Sequence, residues 1–193
     1  MADFGVFLDR DGTVTEEIGY VNDPRRLRLI PGSAEAIALL NSKKIPVILA
    51  TNQAGVARGY FKEEMIGRCH GRLTEMLASL GARLDAIYYC PHHPAAGEAP
   101  YRTDCDCRKP KPGMLLKAAE RFGLDLSRSY VIGDKASDLE VAEAAGAHPI
   151  LVRTGYGEGE IELYGGKWDV KPEGIFLNLL EAVNHIVEKE AAR

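Results

Sequence analysis

Apolar residues in this chain fall into short continuous runs separated by longer stretches with helical spacing. Residues 4–8 form one run, ending at Asp9. Others cover 45–50, ending at Thr51, then 86–89, then 130–132, followed by Gly133-Asp134, and 150–152. Short apolar runs bounded by polar or turn residues read as strands buried on both faces. Between them, 33–43 carries Ala36, Ile37, Leu39 and Leu40 at helical spacing, opened by Pro31-Gly32-Ser33. Residues 62–80 place Met65, Ile66, Cys69, Leu73, Met76, Leu77 and Leu80 at the same period. Further helices are expected over 113–122, over 136–145 with Gly146 as the stop, and over 175–188. Residues 90–112 hold five prolines and little periodicity, so they read as loop. The glycine-rich stretch 154–166 is expected to be a mobile loop.

Strands alternating with helices imply right-handed crossovers and an α/β fold, a three-layer Rossmann-like parallel sheet. No repeat or linker divides the chain, so one domain is expected over residues 1–193. In such sheets ligands bind beyond the carboxyl ends of the strands. Asp9, Thr51 and Asp134 each stand at such an end.

Composition narrows the partners. The net charge of −4, with 46% hydrophobic and 27% charged residues, suits a soluble globular protein and argues against a broad nucleic-acid footprint. The first residues carry no basic segment ahead of an apolar stretch, and no window approaches the roughly 18 apolar residues of a membrane span. The expectation is a cytoplasmic monomer that acts on a small molecule, with no membrane and no nucleic-acid partner. Thiols in the cytoplasm stay reduced. The gathering of Cys90, Cys105 and Cys107 near histidines in one loop therefore points to a metal.

Asp9-Arg10-Asp11-Gly12-Thr13 follows the first strand directly. If strand geometry continues, residues two apart face one way, and Asp9 and Asp11 converge. A divalent cation relieves the repulsion between paired carboxylates. One carboxylate can then attack phosphorus while the other protonates the departing oxygen. The same residues also suit a solvated turn. Thr51-Asn52 offers hydroxyl, amide and backbone N–H groups to phosphate oxygens, and equally suits an Asx turn. Asp134 offers one more oxygen to magnesium, while Asp138 is placed to cap or support the next helix. Arg108-Lys109-Pro110-Lys111-Pro112 is a stiff basic cluster in an acidic chain, able to stabilise a transferring phosphoryl group or to stand as an exposed basic loop.

These motifs, in this order, resemble the haloacid-dehalogenase superfamily of phosphotransferases, over most of the chain from Phe4 to Arg153. The resemblance implies that Asp9 is the nucleophile, forming an aspartyl-phosphate. Asp11 is then general acid and base, Thr51 holds the phosphoryl group and Lys109 neutralises charge beside it. Magnesium is implied on the Asp9 side chain, the Asp11 backbone carbonyl and the Asp134 side chain. An Asp two residues after the nucleophile resembles the phosphatases rather than the ion pumps.

Cys90-Pro91-His92-His93-Pro94 and Cys105-Asp106-Cys107 add a second signal. In extended segments Cys90 with His92, and Cys105 with Cys107, each face one side, giving four ligands around one centre. Three thiolates and an imidazole suit a tetrahedral structural zinc, with His93 as the alternative to His92 and buried thiols as the metal-free reading. Placed just before Arg108-Lys109, such a zinc would fix a long loop that delivers charge to phosphate.

The zinc loop directs the comparison to two branches without a large cap domain, the D-glycero-D-manno-heptose 1,7-bisphosphate 7-phosphatases and the histidinol-phosphate phosphatases. Asn52-Gln53-Ala54-Gly55-Val56-Ala57-Arg58-Gly59 resembles the heptose branch. That likeness implies substrate contacts from Gly19, Tyr20, Thr51, Asn52, Gln53, Arg108, Lys109 and Lys135, and a place in nucleotide-activated heptose biosynthesis. Glu17-Ile18 departs from the more polar pair of that branch.

Overall fold

A computed structural model describes residues 3–165 and 167–192 of the chain. Six parallel strands form one sheet: β1 Val6–Leu8, β2 Val47–Asn52, β3 Ala86–Cys90, β4 Tyr130–Gly133, β5 His148–Val152 and β6 Gly174–Phe176. Their order is β3-β2-β1-β4-β5-β6. The helices are α1 Ser33–Ser42, α2 Glu64–Ala78, α3 Gly113–Phe122, α4 Ala136–Ala145, α5 Gly157–Tyr164 and α6 Leu179–Ala191.

The continuous apolar runs are explained by burial on both faces. Val6, Leu8, Val47, Leu49, Tyr130 and Ile132 point into a core closed by Ile37 and Leu40 of α1, Leu73 and Leu77 of α2, and Val183 and Ile186 of α6. Phe7, Ile48, Ala50 and Val131 point the opposite way, onto Met114, Leu115 and Ala118 of α3 and Val141 and Ala142 of α4. Alternate residues of one strand thus feed two cores, and the expected three layers result. Among the described residues, no helix is long and apolar enough to cross a membrane.

Two expectations at the C-terminal end are corrected. Residues 175–188 are not one helix, because Ile175 and Phe176 pair with Leu151 and Val152 as strand β6. Helix α6 starts only after Asn178, whose side chain accepts the Glu181 N–H at 3.1 Å. A three-residue edge strand is too short to show its own period, so it merged with the helical pattern behind it. The stretch 154–166 is not a plain loop either, since it contains α5, and Gly166 lies outside the described residues. Arg153 pairs with Glu158 at 2.8 Å, and Ile161 packs on Leu139, Leu151 and Val170, which offsets the low helix propensity of Gly157 and Gly159.

The chain runs outward from β1 to β3, then crosses to β4 and runs outward to β6. The strand order therefore reverses between β1 and β4, which leaves a crevice beyond their carboxyl ends.

Candidate active site

Asp9 follows β1 and Asp134 follows β4, one on each side of that crevice. The Asp9 N–H still donates to Ile132 O at 3.0 Å, but the chain then turns, with the Val14 and Thr15 N–H groups both donating to Arg10 O. Gly12 sits in this turn at φ +88°, and a Cβ there would run into the Asp134 carboxylate. Glycine is thus required by both conformation and space. Gly133 has the second role only, since a Cβ would collide with the Asp138 carboxyl.

Carboxylate oxygens of Asp9, Asp134 and Asp138 lie within 4.8 Å of one another, all buried. Lys109 Nζ joins them, 2.8 Å from Asp9 Oδ1 and 2.6 Å from Asp138 Oδ1. Burial opposes the ammonium of Lys109, but Asp138 and Asp9 outweigh it and raise its pKa. Burial likewise opposes the Asp9 carboxylate, and Lys109 and Lys135 overcome it and lower its pKa. At Asp134 burial wins. Despite Lys135, the nearby Asp9 and Asp138 charges help push its pKa up to about 8. Asp134 Oδ2 accepts the Tyr156 N–H at 2.8 Å, whereas the buried Oδ1 has no hydrogen-bond partner. An orphaned carboxylate oxygen beside a second carboxylate fits a hard divalent cation, which takes oxygen ligands. Asp138 has less to give: Oδ1 accepts from Lys109 and Oδ2 from the Lys135 N–H at 3.1 Å. Both of its oxygens are therefore engaged within the cluster.

Asp9 and Asp11 do not converge as a continued strand would make them. Asp11 is instead turned into a buried set of donors. Arg10 Nε reaches Asp11 Oδ1 at 3.0 Å and Arg10 NH2 reaches Oδ2 at 2.7 Å, while Gln53 Nε2 donates to Oδ2 at 3.0 Å. Both carboxylates still line the cleft. Arg10, only 1% exposed, is a residue that sequence reasoning missed. A guanidinium is rarely so buried, and position alone gave no sign of its inward fork.

Arg10 NH1 also lies 3.4 Å from His70 Nε2. Burial first, and then Arg10, hold the His70 pKa down to about 3, against 6.5 for the free side chain. Between these values the unfolded chain binds more protons, so stability rises with pH and is lost as pH falls below 6.5. His70→Gln keeps an acceptor toward Arg10 and removes the titration. From pH 7 to pH 5 it should lose about 2 kcal/mol less stability than the parent in urea unfolding. Parallel pH curves for the two proteins would contradict the assignment of His70 as a buried neutral ring.

The cleft, of about 370 Å³, is lined by Asp9, Asp11, Glu17, Gly19, Tyr20, Asn52, Gln53, Ala54, Arg108, Lys109, Lys135, Ser137, Asp138 and Tyr156. Most residues singled out from the sequence therefore meet in one place. Thr51 and Asp134 stand behind this lining, Thr51 with its hydroxyl accepting from Gln53 Nε2 at 3.1 Å. Asn52 clamps the basic loop to β2: its Nδ2 donates to Lys109 O, and its Oδ1 accepts the Lys109 N–H, both at 3.0 Å. Glu17 accepts from Gly19 N–H at 2.7 Å and from Lys135 Nζ at 3.0 Å, so it organises the far wall. Tyr20 stacks on Tyr60, with ring centroids 4.4 Å apart. Ser137 and Tyr156 were not foreseen. Tyr156 follows the end of β5, and its ring sits 4.5 Å from Lys135 Nζ. Its place after a fifth strand end was the available signal.

Beyond β3 the chain brings Cys90, His92, Cys105 and Cys107 together. The sulfurs of Cys90 and Cys105 are 3.4 Å apart, those of Cys105 and Cys107 3.1 Å, and His92 Nδ1 is 3.5 Å from Cys107 Sγ. All four cysteines of the chain are free thiols. Three sulfurs and one imidazole nitrogen at these separations suit a tetrahedral centre. His93 is turned elsewhere, accepting at Nδ1 from the Ala95 and Ala96 N–H groups. Burial raises the Cys90 pKa, whereas Cys105, against its own burial, is drawn down to about 7 by its neighbours Cys107, Cys90 and His92. Arg108 NH1 donates to His92 O at 3.1 Å, which ties this cluster to the cleft.

The HAD-hydrolase-like family model matches residues 106–182. The chain is 46% identical over 156 residues to the D-glycero-beta-D-manno-heptose-1,7-bisphosphate 7-phosphatase of Vibrio cholerae, covering 80% of this chain and 84% of that protein. It is 47% identical over 161 residues to the D-glycero-D-manno-heptose-1,7-bisphosphate 7-phosphatase of Thermosynechococcus vestitus, covering 81% and 82%. The crystal structure of D,D-heptose 1,7-bisphosphate phosphatase from B. bronchiseptica, complexed with magnesium and phosphate, superposes with a TM-score of 0.84 at 34% identity, covering 96% of this chain and 99% of that one.

Proposed function

Because the chain belongs to the D-glycero-D-manno-heptose-1,7-bisphosphate 7-phosphatase family of haloacid-dehalogenase phosphatases, we propose that it hydrolyses the 7-phosphate of that sugar bisphosphate with Asp9 as nucleophile. The observation that carries the reading is the buried group of Asp9, Asp134, Asp138 and Lys109 at the reversal of strand order. Magnesium bound there, held by Asp9 and by the orphaned oxygen of Asp134, would polarise the phosphoryl oxygens. Lys109 keeps Asp9 ionised and offers positive charge to the same oxygens. Asp11, released from part of its Arg10 fork, delivers a proton to the departing sugar oxygen and then takes one from water. Thr51, whose hydroxyl accepts from Gln53 Nε2, is assigned to hold the phosphoryl group. Gly19, Tyr20, Asn52, Gln53, Arg108 and Lys135 are assigned to the sugar and its second phosphate, since they line the rest of the cleft. The histidinol-phosphate alternative is not favoured, because the relatives compared above are heptose enzymes.

The test is kcat/KM for heptose 1,7-bisphosphate against histidinol phosphate, with phosphorus NMR to identify the phosphate released. The bisphosphate should be preferred at least about tenfold, since each ionic contact to the second phosphate contributes about 1.5–3 kcal/mol. Equal efficiency on histidinol phosphate would overturn the reading, and release of the 1-phosphate would reverse the assigned orientation.

Zinc is assigned to Cys90, His92, Cys105 and Cys107 as a structural centre. Its purpose is to hold the loop whose end carries Arg108 and Lys109. Elemental analysis of protein purified without added metal should give one zinc per chain, kept through dialysis that strips magnesium. Cys107→Ala should lose that zinc and lower activity without touching the reacting groups. Active protein with all four residues intact and no zinc would remove the assignment.

A further inference from the structure

Residues 55–60 follow the cleft wall at Gln53 and Ala54 but do not line the cleft themselves. Their backbone closes in the way that ends a helical turn. The Tyr60 N–H donates to Gly55 O and the Gly59 N–H to Val56 O, both at 2.9 Å, and Gly59 takes φ +75°. A left-handed glycine with these two bonds turns the residue after it back onto the start of the turn. Here that residue is Tyr60.

In such turns the returning residue often packs on the side chain at the first position. Gly55 has none, and Tyr20 takes that place from another loop. A Cβ on Gly55 would stand 3.0 Å from Tyr20 Cδ1 and would run into the Phe61 ring, so only bare backbone admits Tyr20. The Tyr60 ring then stacks on Tyr20, with centroids 4.4 Å apart and planes 30° apart. Tyr20 is 43% exposed and Tyr60 58%, so the stack is not a core contact. Tyr20 lines the cleft and Tyr60 does not, so Tyr60 backs the ring from outside. The chain just before Tyr20 has little packing to fix it, since a Cβ on Gly19 would meet nothing within 4 Å. Without its partner the Tyr20 ring would be free to change rotamer.

We propose that Tyr60 is a positioning residue for the carbohydrate part of the substrate: stacked on Tyr20, it holds that ring as a flat wall of the cleft. The role rests on the heptose bisphosphate reading given above. An aromatic face carries negative charge, and the C–H groups of a sugar present weak positive charge to it. Such a wall orients the sugar without competing for its phosphates, which the cationic residues of the cleft take. Tyr60 acts through Tyr20, so its effect falls on substrate binding and not on the chemical step.

The experiment compares the parent protein with Tyr60→Ala and Tyr60→Phe, all with magnesium, on heptose 1,7-bisphosphate and with inorganic phosphate as inhibitor. Tyr60→Ala should raise KM for the bisphosphate about threefold to tenfold, the weight of one aromatic pair, with kcat within about twofold of the parent. Tyr60→Phe keeps the ring and should keep the parent KM. The inhibition constant of inorganic phosphate, which fills the reacting end and carries no sugar, should be the same in all three proteins. A general loosening of the fold would raise that constant as well, so the split separates positioning from structure. An unchanged KM in Tyr60→Ala, an equal loss in Tyr60→Phe, or a matching rise in the phosphate constant overturns the role. Proton NMR of the Tyr20 ring in catalytically silent Asp9→Asn protein gives a second readout. Its resonances should move on addition of the bisphosphate and stay put with inorganic phosphate at the same concentration. A Tyr20 ring that ignores the bisphosphate overturns the role. Failure of the parent protein to hydrolyse the bisphosphate is a separate result, visible before any variant is compared, and it refutes the functional reading instead.

Discussion

Asp9→Asn should reduce phosphate release by at least about a thousandfold, some 4 kcal/mol of barrier, while the protein stays folded. An amide oxygen is a poor nucleophile toward phosphorus, and no other carboxylate is placed to substitute. Asp134 lies across the crevice with one oxygen held by Tyr156 N–H, and Asp138 has both oxygens engaged. The fold should tolerate the change for an electrostatic reason. Lys109 loses one partner but keeps Asp138 at 2.6 Å, and one of three mutually repelling buried carboxylates is removed. Thermal unfolding should therefore move by only a few degrees. Turnover within tenfold of the parent would exclude Asp9 as nucleophile.

Lys109→Met should damage both stability and rate. The ammonium is buried between Asp9 and Asp138, and its removal leaves two carboxylates without their shared cation. Breaking a buried pair in this way costs about 3–5 kcal/mol when the orphaned charge stays ionised. The pKa of Lys109 is raised above its unfolded value of 10.5, so its contribution is complete below that pH and is lost only as pH rises through the higher folded value. In the variant, Asp138 loses a charge that favoured its ionised form, so protonation relieves the strain at low pH and the deficit grows as pH rises. Magnesium should restore part of the stability, because it brings positive charge to the same cluster. The rate should fall about a hundredfold to a thousandfold even with magnesium, since a charge facing the transferring phosphoryl oxygens is gone. Urea unfolding at pH 6 and pH 8, with and without magnesium, separates these effects. A variant as stable and as active as the parent would show that Lys109 does not neutralise the cluster.

The sheet was legible in the sequence because its strands are buried on both faces. Phe7 and Leu8 sit in different cores, so both are apolar, and continuous runs appeared where one-sided burial would have given alternation. Helices α3 and α4 were legible to the residue, since Gly123 and Gly146 stop them in left-handed conformations at φ 65° and 73°. Strand β6 and helix α5 were not. Three residues carry no measurable period, and α5 exists through Arg153–Glu158 and the packing of Ile161, contacts that local propensity does not encode.

By itself, the sequence determined which chemistry is available. It placed a carboxylate or hydroxyl at three strand ends, a stiff basic loop after a Cys/His cluster, and a glycine in the turn that follows Asp9. These are local facts, fixed by residue type and strand boundaries. Only the tertiary structure decided which carboxylates share a centre. Asp9 meets Asp134 and Asp138 rather than Asp11, because β1 and β4 are neighbours and the chain turns after Asp9. It also decided that Arg10 points inward to hold Asp11, that His92 joins the thiols while His93 faces Arg58, and that Tyr156 lies under Lys135. Each of these pairs spans separate loops or depends on which way one side chain turns. Sheet order and side-chain packing set both, and neither leaves a periodic trace along the chain.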